Sequence, residues 1–438
     1  MSTRQENQLD LLKAERKIDQ IVDLQVQNAL LSAGIILQTE HSTKAAGVGL
    51  IIIWLGVTFL AQIIYSQSQS NKGKDTFYAI LLGLLLIQTR TILRIEDEFG
   101  LTQYFLIALG LAASASFSRK QWLRLLQWMG ATAIPILILL IGEIVMTKLA
   151  ISSPLPAPIP SIAQALVDTS ELRSYLQETV FSFLAISGLI AGRLSQKRFT
   201  RIISYAGGLC GLILCQIVDS RMAIIAPILG ITIGFGICHL AALKRVSSKI
   251  RLAILSSFTA ALLVIIFTVV IAPDLRPGSG VTLDSDRGRI NIALCWAGSI
   301  FAGNNRFLYG TGHDKTFIME RCTDEKVGNY WQAVPGNTTG HAHNVFAHII
   351  GLHGVLGIIA MGLLATIYVK GVLYFAKTEE IFASLPIGYA PWSEAIISMG
   401  VFMLVCSMST TFFIYNHTLQ VLIGLALGMP LIKLTPSK

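Results

Sequence analysis

Run after run of about twenty apolar residues leaves this chain few folds. Such a run just crosses the hydrocarbon core of a bilayer as a helix. No water inside a membrane satisfies backbone N–H and C=O groups, so only helices and closed barrels can cross it. Continuous apolar runs, rather than alternating ones, select helices. They occur at 46–66, 76–93, 101–117, 127–150, 177–195, 201–218, 221–243, 251–272, 346–376, 391–411 and 413–433. A twelfth and weaker run, IVDLQVQNALLSAGIILQT at 21–39, is diluted by Asp23, Gln25, Gln27 and Asn28. Charged residues make up 13% of the 438, against about 25% in ordinary soluble domains. The expected fold class is therefore all-α: a polytopic integral membrane protein of about twelve transmembrane helices.

Basic residues settle the expected orientation. They gather in alternate short loops: Lys72 and Lys74; Arg119, Lys120 and Arg124; Arg193, Lys197, Arg198 and Arg201; Lys244, Arg245, Lys249 and Arg251; Lys370 and Lys377; Lys433 and Lys438. The positive-inside rule makes these loops cytoplasmic. The stretches 94–100, 151–176, 219–220 and 273–345 are then outside. With Lys72 inside, the 46–66 helix starts outside, and a tail bearing Arg4, Lys13, Arg16 and Lys17 would be translocated unless 21–39 also crosses. Twelve spans with both termini cytoplasmic follow. The net charge of +9 is mostly this bias and does not argue for a nucleic-acid partner.

Four divisions are expected. Residues 1–20, polar and mixed in charge, form a cytoplasmic or interfacial segment with no cleavable signal peptide. Residues 21–272 form a transmembrane region, 273–343 an extracytoplasmic loop subdomain, and 344–438 the C-terminal transmembrane helices. A connection of some 70 residues in a compact protein is usually functional. This one has an arginine-bearing start, LDSDRGRINIALCWAGSIF, an amphipathic helical run around 288–302, the turn YGTGH at 309–313, and a polar return. Of the six cysteines, Cys295 and Cys322 share the loop, and an oxidising compartment would permit a bridge between them. Cys210, Cys215, Cys238 and Cys406 fall in apolar runs, where a thiol acts as a small apolar residue.

The return ends in GHAHNVFAHIIGLHGVLGI, Gly340 to Ile358. His343 and Asn344 stand at the expected start of a span. Gly351, Gly354 and Gly357 recur every three residues, near one helical face, where glycine lets a neighbouring helix approach. Zinc takes three or four protein ligands, and His341 and His343 have no acidic or cysteine partner nearby, so no metal or other cofactor is expected. His348 and His353 fall inside the span and read as hydrogen-bonded polar residues of a bundle. His343 reads instead as a general base, because a neutral imidazole accepts a proton at physiological pH.

His343-Asn344, nine residues, Gly354, two residues, Gly357 resembles the H-[NSQ]-x9-G-x-x-[GTY] pattern of the O-antigen ligase family, within the O-antigen ligase and polymerase superfamily of bacterial envelope enzymes. As in that family, the pattern follows the large outer loop. Ser220-Arg221 opens a span as SRMAIIAPILG, similar to the family's Ser-Arg before a small-residue helix. Arg289 followed by YGTG at 309–312 resembles the family's arginine, helix and Gly-x-Gly element. The proline common before that element is absent and the spacing is a few residues longer, so Arg287 rivals Arg289. The likeness spans roughly residues 180 to 376.

The resemblance implies a glycosyltransferase at the outer face of a bacterial inner membrane. It would move a glycan from a polyprenyl diphosphate carrier to an acceptor hydroxyl, on a lipid A core or a comparable glycan, without metal or nucleotide. The implied catalytic residues are His343, Arg221 and Arg289, with Arg287, Asn344 and His341 joining them in substrate binding. A diphosphate leaving group needs fixed positive charge, which arginine supplies permanently and in bidentate geometry. Competing readings stay open: Arg221 as a snorkelling interface residue, and Arg287 and Arg289 as loop charges paired with Asp284 or Asp286. A polymerase would use the same donor. A solute or anion transporter is the reading of another class, set against the lack of paired halves.

Overall fold

The computed structural model describes residues 24–38, 44–66, 98–114, 117–150, 178–217, 221–242, 283–303, 306–312, 322, 342, 344–383, 391–409 and 417–431. Among them every regular element is a helix. In chain order these are α1 (Leu24–Leu37), α2 (Lys44–Ser66), α3 (Glu98–Ser114), α4 (Arg119–Ala150), α5 (Glu178–Leu194), α6 (Arg198–Ile217) and α7 (Arg221–Ala242). Then come α8 (Leu283–Gly298), running on through a 3-10 turn at Ser299–Phe301, and the single turn α9 (Arg306–Tyr309). The last are α10 (Val345–Ala383), α11 (Pro391–Ser409) and α12 (His417–Gly428), which ends in a 3-10 turn at Met429–Leu431. Three stretches, Arg119–Gly142, Arg198–Ile217 and Val345–Leu373, are long and apolar enough to cross a membrane. The expected spans at 76–93 and 251–272 lie outside the described residues.

Local chemistry explains where the helices begin. At α4, Ser118 N–H donates to Gln121 Oε1 at 2.7 Å and Gln121 N–H to Ser118 Oγ at 3.3 Å. This reciprocal cap satisfies two donors that the first turn leaves open. Proline opens α11 at Pro391, where its missing N–H costs nothing.

Between apolar helices in lipid, close backbone approach replaces the hydrophobic drive of water, so small residues mark the contacts. A methyl group at position 188 would stand 2.7 Å from Gly208 Cα, and one at position 130 would stand 2.8 Å from Gly188 N. One at position 207 would run into the Gly130 carbonyl. Here α4, α5 and α6 touch backbone to backbone. Position 211 faces Ala185 while 188 faces 208, so α5 and α6 are antiparallel. Gly230 faces the Ser398 carbonyl and Gly234 the Glu394 carbonyl, which makes α7 antiparallel to α11.

The weakest of the expected apolar runs, 21–39, is helical as α1, 14 residues long and so shorter than a membrane crossing, and polar bonds hold it in the bundle. Gly34 packs on Gly47 of α2, Thr132 Oγ1 donates to Ser32 Oγ at 2.8 Å, and Thr418 Oγ1 donates to Gln38 Oε1 at 2.7 Å. Asn28, one of the residues that diluted its hydropathy, is buried, as is Ser32. Trp54, Trp122, Phe181, Phe183 and Phe402 are fully buried in the main core. Phe183 and Phe402 meet edge to face at 4.9 Å.

The pairings also sort the helix ends. At one end, Ser182 Oγ of α5 donates to the Ala223 carbonyl in the first turn of α7, and Asn344 Nδ2 donates to the Met408 carbonyl of α11 at 3.1 Å. At the other, Arg193 closing α5 pairs with the buried Glu394 opening α11, Nε to Oε1 3.3 Å, and lies over the Phe235 ring of α7.

Candidate functional site

The site expected from sequence gathers around the start of α10, and Asn344 shapes that start. Its Oδ1 accepts from Ala347 N–H at 2.9 Å, capping the first turn, while its Nδ2 reaches α11. Both ends of the amide are thus engaged in structure. His341 and His343 lie outside the described residues, but the residues flanking 343 are in place. Ala342 is fully buried in a small second core with Ile292, Trp296, Cys322, Ala347 and Leu352. The chain therefore runs past position 343 between a buried contact with α8 and a cap tied to α11.

Arg221 is the first residue of α7, and Ser220 lies outside the described residues. In the antiparallel register of α7 and α11, 230 lies level with 398–402 and 234 with 394–398. Continued by two helical turns, it brings position 221 to the level of 409, beside the Met408 carbonyl that Asn344 holds. The helix starts at 221 and 344 therefore converge on the end of α11.

Arg287 and Arg289 both fall in α8, two positions apart. At 100° per residue such neighbours take opposite sides of a helix. Among the described side chains the buried stripe of α8 and its 3-10 extension includes Ile292, Trp296 and Ser299. The register puts positions 287 and 289 on different faces and leaves both as candidates.

α8 is held against α10 by several means. Trp296 stacks on His348 with ring centroids 4.7 Å apart and planes at 25°. His348 and His353 are each only 3% exposed, buried within the bundle as expected, and His348 meets Trp296 by ring stacking. Cys295 and Cys322 form a disulfide with Cα atoms 5.8 Å apart, tying α8 to the return of the loop.

The three spaced glycines behave differently from the expectation that they form one packing face. Gly351 does face α8: a methyl there would stand 2.8 Å from the Trp296 carbonyl. Gly354 instead breaks the helix, with φ 59° and ψ −144°, a conformation that side chains exclude and glycine permits. A methyl on Gly354 would stand 2.6 Å from the Phe307 carbonyl oxygen. Gly357, beyond the break, packs on Ile349 and His353 of its own helix. The helix that opens with Arg221 has α11, not α10, as its close glycine-mediated partner, through Gly230 and Gly234.

The Gly-x-Gly element is what fills the break. Thr311 N–H donates to the Gly351 carbonyl at 3.0 Å, Gly312 N–H to the Leu352 carbonyl at 2.8 Å, and Thr311 Oγ1 to Gly351 O at 3.2 Å. An unbroken helix would offer those carbonyls to residues 355 and 356. Gly310 and Gly312 have φ of 68° and 64°, which turns successive N–H groups toward α10. Sequence reasoning had each half of this arrangement, the GTG turn and the spaced glycines, without the pairing between them.

Among the described residues no group of three or more His, Cys, Asp or Glu is placed to hold a metal ion. No protein-family model matches the chain and no curated protein matches it in sequence.

Proposed function

We propose that the chain is an O-antigen ligase-like glycosyltransferase of a bacterial inner membrane, with about twelve spans and its active site at the extracytoplasmic face. The observation that carries the reading is the Asn344 bond to the Met408 carbonyl, which ties the start of α10 to the end of α11, the level to which the register of α7 carries position 221. Positions 221 and 289 belong to α7 and α8 and 343 precedes α10 in the chain, and an active site at a helix-end cluster needs such elements to meet.

In the proposed reaction the acceptor hydroxyl oxygen attacks the anomeric carbon of the lipid-linked glycan. The bond from that carbon to the diphosphate oxygen breaks as the new glycosidic bond forms. His343 takes the hydroxyl proton, and the polyprenyl diphosphate leaves with the bonding electron pair, its charge met by Arg221 and Arg289, with Arg287 and His341 beside them. Asn344 joins the substrate contacts only as far as its capping bonds allow. With no carboxylate nucleophile among the candidate residues, a single inverting displacement follows.

The polymerase reading shares this donor chemistry and differs in taking a second lipid-linked repeat as acceptor. Transport gains one observation, since broken helices mark many transporter sites. Against it, the Gly351 and Leu352 carbonyls at this break already accept from Thr311 and Gly312 and are not left to coordinate an ion. The envelope glycans of a deletion strain test all three. Polymer accumulating on its lipid carrier beside an uncapped core is the expected result. Single repeats on the core would indicate a polymerase, and unchanged glycans would overturn enzymatic transfer.

A further inference from the structure

The loop before α10 reads from sequence as a water-bathed subdomain, yet the surface of its described part is apolar. Phe301 is 74% exposed, Leu294 66% and Phe307 53%, and Leu308 and Tyr309 are exposed beside them. Phe301 and Phe307 pack on each other, ring centroids 5.9 Å apart, rather than into either core. Their level along α10 is set by backbone bonds. Thr311 and Gly312 hang from the carbonyls of Gly351 and Leu352, and Gly354 lies against the Phe307 carbonyl. Those positions are six to nine residues past the start of α10, so the segment lies roughly 9–14 Å down that helix at its usual rise. Over Val345–Leu373, α10 is long and apolar enough to cross a membrane. Just beyond the break it exposes Ile358, Ile359 and Leu363.

We propose that Phe301 and the turn formed by Arg306–Gly312 make a re-entrant wedge whose Phe301, Phe307, Leu308 and Tyr309 side chains face the acyl chains of the outer leaflet, continuous with the lipid-facing side of α10. Irregular backbone is tolerated at membrane depth only where protein buries it and satisfies its polar groups. The wedge meets this condition. Gly310, Thr311 and Gly312 are buried, and their N–H groups donate to the carbonyls of Arg306, Gly351 and Leu352 at 2.7, 3.0 and 2.8 Å. Gly303 is exposed, and its carbonyl accepts from Arg306 N–H at 3.3 Å; the large exposed groups are apolar side chains, on the 3-10 turn and on α9. Arg306 on α9 is half-buried, and its stem is long enough to carry the guanidinium toward the headgroups. The inference rests on the bilayer orientation proposed above for α10 and is independent of glycosyl transfer.

Wild-type, full-length protein in phosphatidylethanolamine and phosphatidylglycerol vesicles, doped with a phospholipid bearing a diazirine midway along an acyl chain, provides the test. After irradiation, carbene adducts are expected on the 301–309 segment and on Leu363. A second measurement uses a spin label at Phe307→Cys, with Cys210, Cys215, Cys238 and Cys406 replaced by Ala. The label is expected to collide more with oxygen than with a water-soluble nickel chelate. Adducts at Leu363 but none at 301–309, with nickel collisions dominant at 307, would overturn the wedge and assign the aromatic patch to water or a protein partner. Absence of adducts at Leu363 as well would overturn the orientation of α10, and the wedge with it.

Discussion

Glycine brings backbone against backbone in two regions of this molecule, by two different routes. Among α4, α5 and α6 it does so passively: Gly130, Gly188, Gly207 and Gly208 keep helical backbone and simply lack the carbon that would collide. Around α10 it does so actively, because Gly310 and Gly354 adopt φ of 68° and 59° and the helix is interrupted to receive a loop. The first route leaves continuous helices and buries a large common core. The second leaves a small core of its own around Trp296, Cys322 and Ala342, held by a disulfide and a few directed hydrogen bonds. A framework and a site built by such different means should respond separately to change.

The largest expected separation concerns chemistry. His343→Ala should lower glycan transfer by about 10²–10⁴-fold, the usual worth of a positioned general base, with wild-type yield and melting of the folded protein. Transfer in membranes from a deletion strain reads the first, and thermal unfolding in detergent the second. Activity within tenfold of wild type would remove His343 from the mechanism. Next, Cys295→Ser with Cys322→Ser opens a loop with a sequence separation of 27; chain entropy alone values that at about 3.5 kcal/mol. Hydrogen exchange should quicken across α8 and the start of α10 while α4, α5 and α6 stay protected. Uniform loss would show that the two regions unfold as one.

Smaller effects compare the two kinds of glycine directly. Gly354→Ala puts a side chain at φ 59°, ψ −144°, a region kept to glycine, at about 1–3 kcal/mol, and also brings a clash with the Phe307 carbonyl. Gly188→Ala forces α5 from α6, at about 1–3 kcal/mol of overpacking. The two costs are alike, but the readouts should differ. Gly354→Ala is expected to lower transfer at near-normal folded yield, and Gly188→Ala to lower folded yield with normal transfer per folded molecule. The same outcome for both would erase the distinction.

The helices were legible because an apolar run announces itself residue by residue: ten described helices match ten of the expected apolar runs, including the diluted one now seen as α1, although only three of them are long and apolar enough to cross a membrane. The start of α10 fell where His343 and Asn344 were expected to open it, but the cap that Asn344 makes went unread, and His348 and His353 are buried in the bundle as expected. The break at Gly354 was not legible. A glycine in an apolar run gives the same signal whether it lacks a side chain for a neighbour's sake or takes a positive φ. Only the donors of Thr311 and Gly312, some forty residues away, decide between these. The bond from Asn344 to Met408 was hidden for the same reason, since its acceptor is a backbone carbonyl that every residue type carries.

The smallest expected effect tests how site and framework are joined. Asn344 performs two tasks with one amide: its oxygen caps α10 within the site region, and its nitrogen donates to the Met408 carbonyl of the framework. Asn344→Ala removes both, for about 1 kcal/mol through the cap and a comparable sum through the bridge. Asn344→Asp separates them. An aspartate still accepts from Ala347 N–H but presents an oxygen to the Met408 carbonyl, so the cap survives and the bridge becomes repulsive. If the convergence of α7 and α10 on α11 matters to transfer, Asn344→Asp should lose activity with Asn344→Ala, while Asn344→Ser, which can still cap, loses the bridge without the repulsion and falls between them and wild type. Activity in Asn344→Asp equal to wild type would reduce Asn344 to a helix cap. The convergence would then need another link to hold it, and the Ser182 bond to the Ala223 carbonyl reaches only the α7 side.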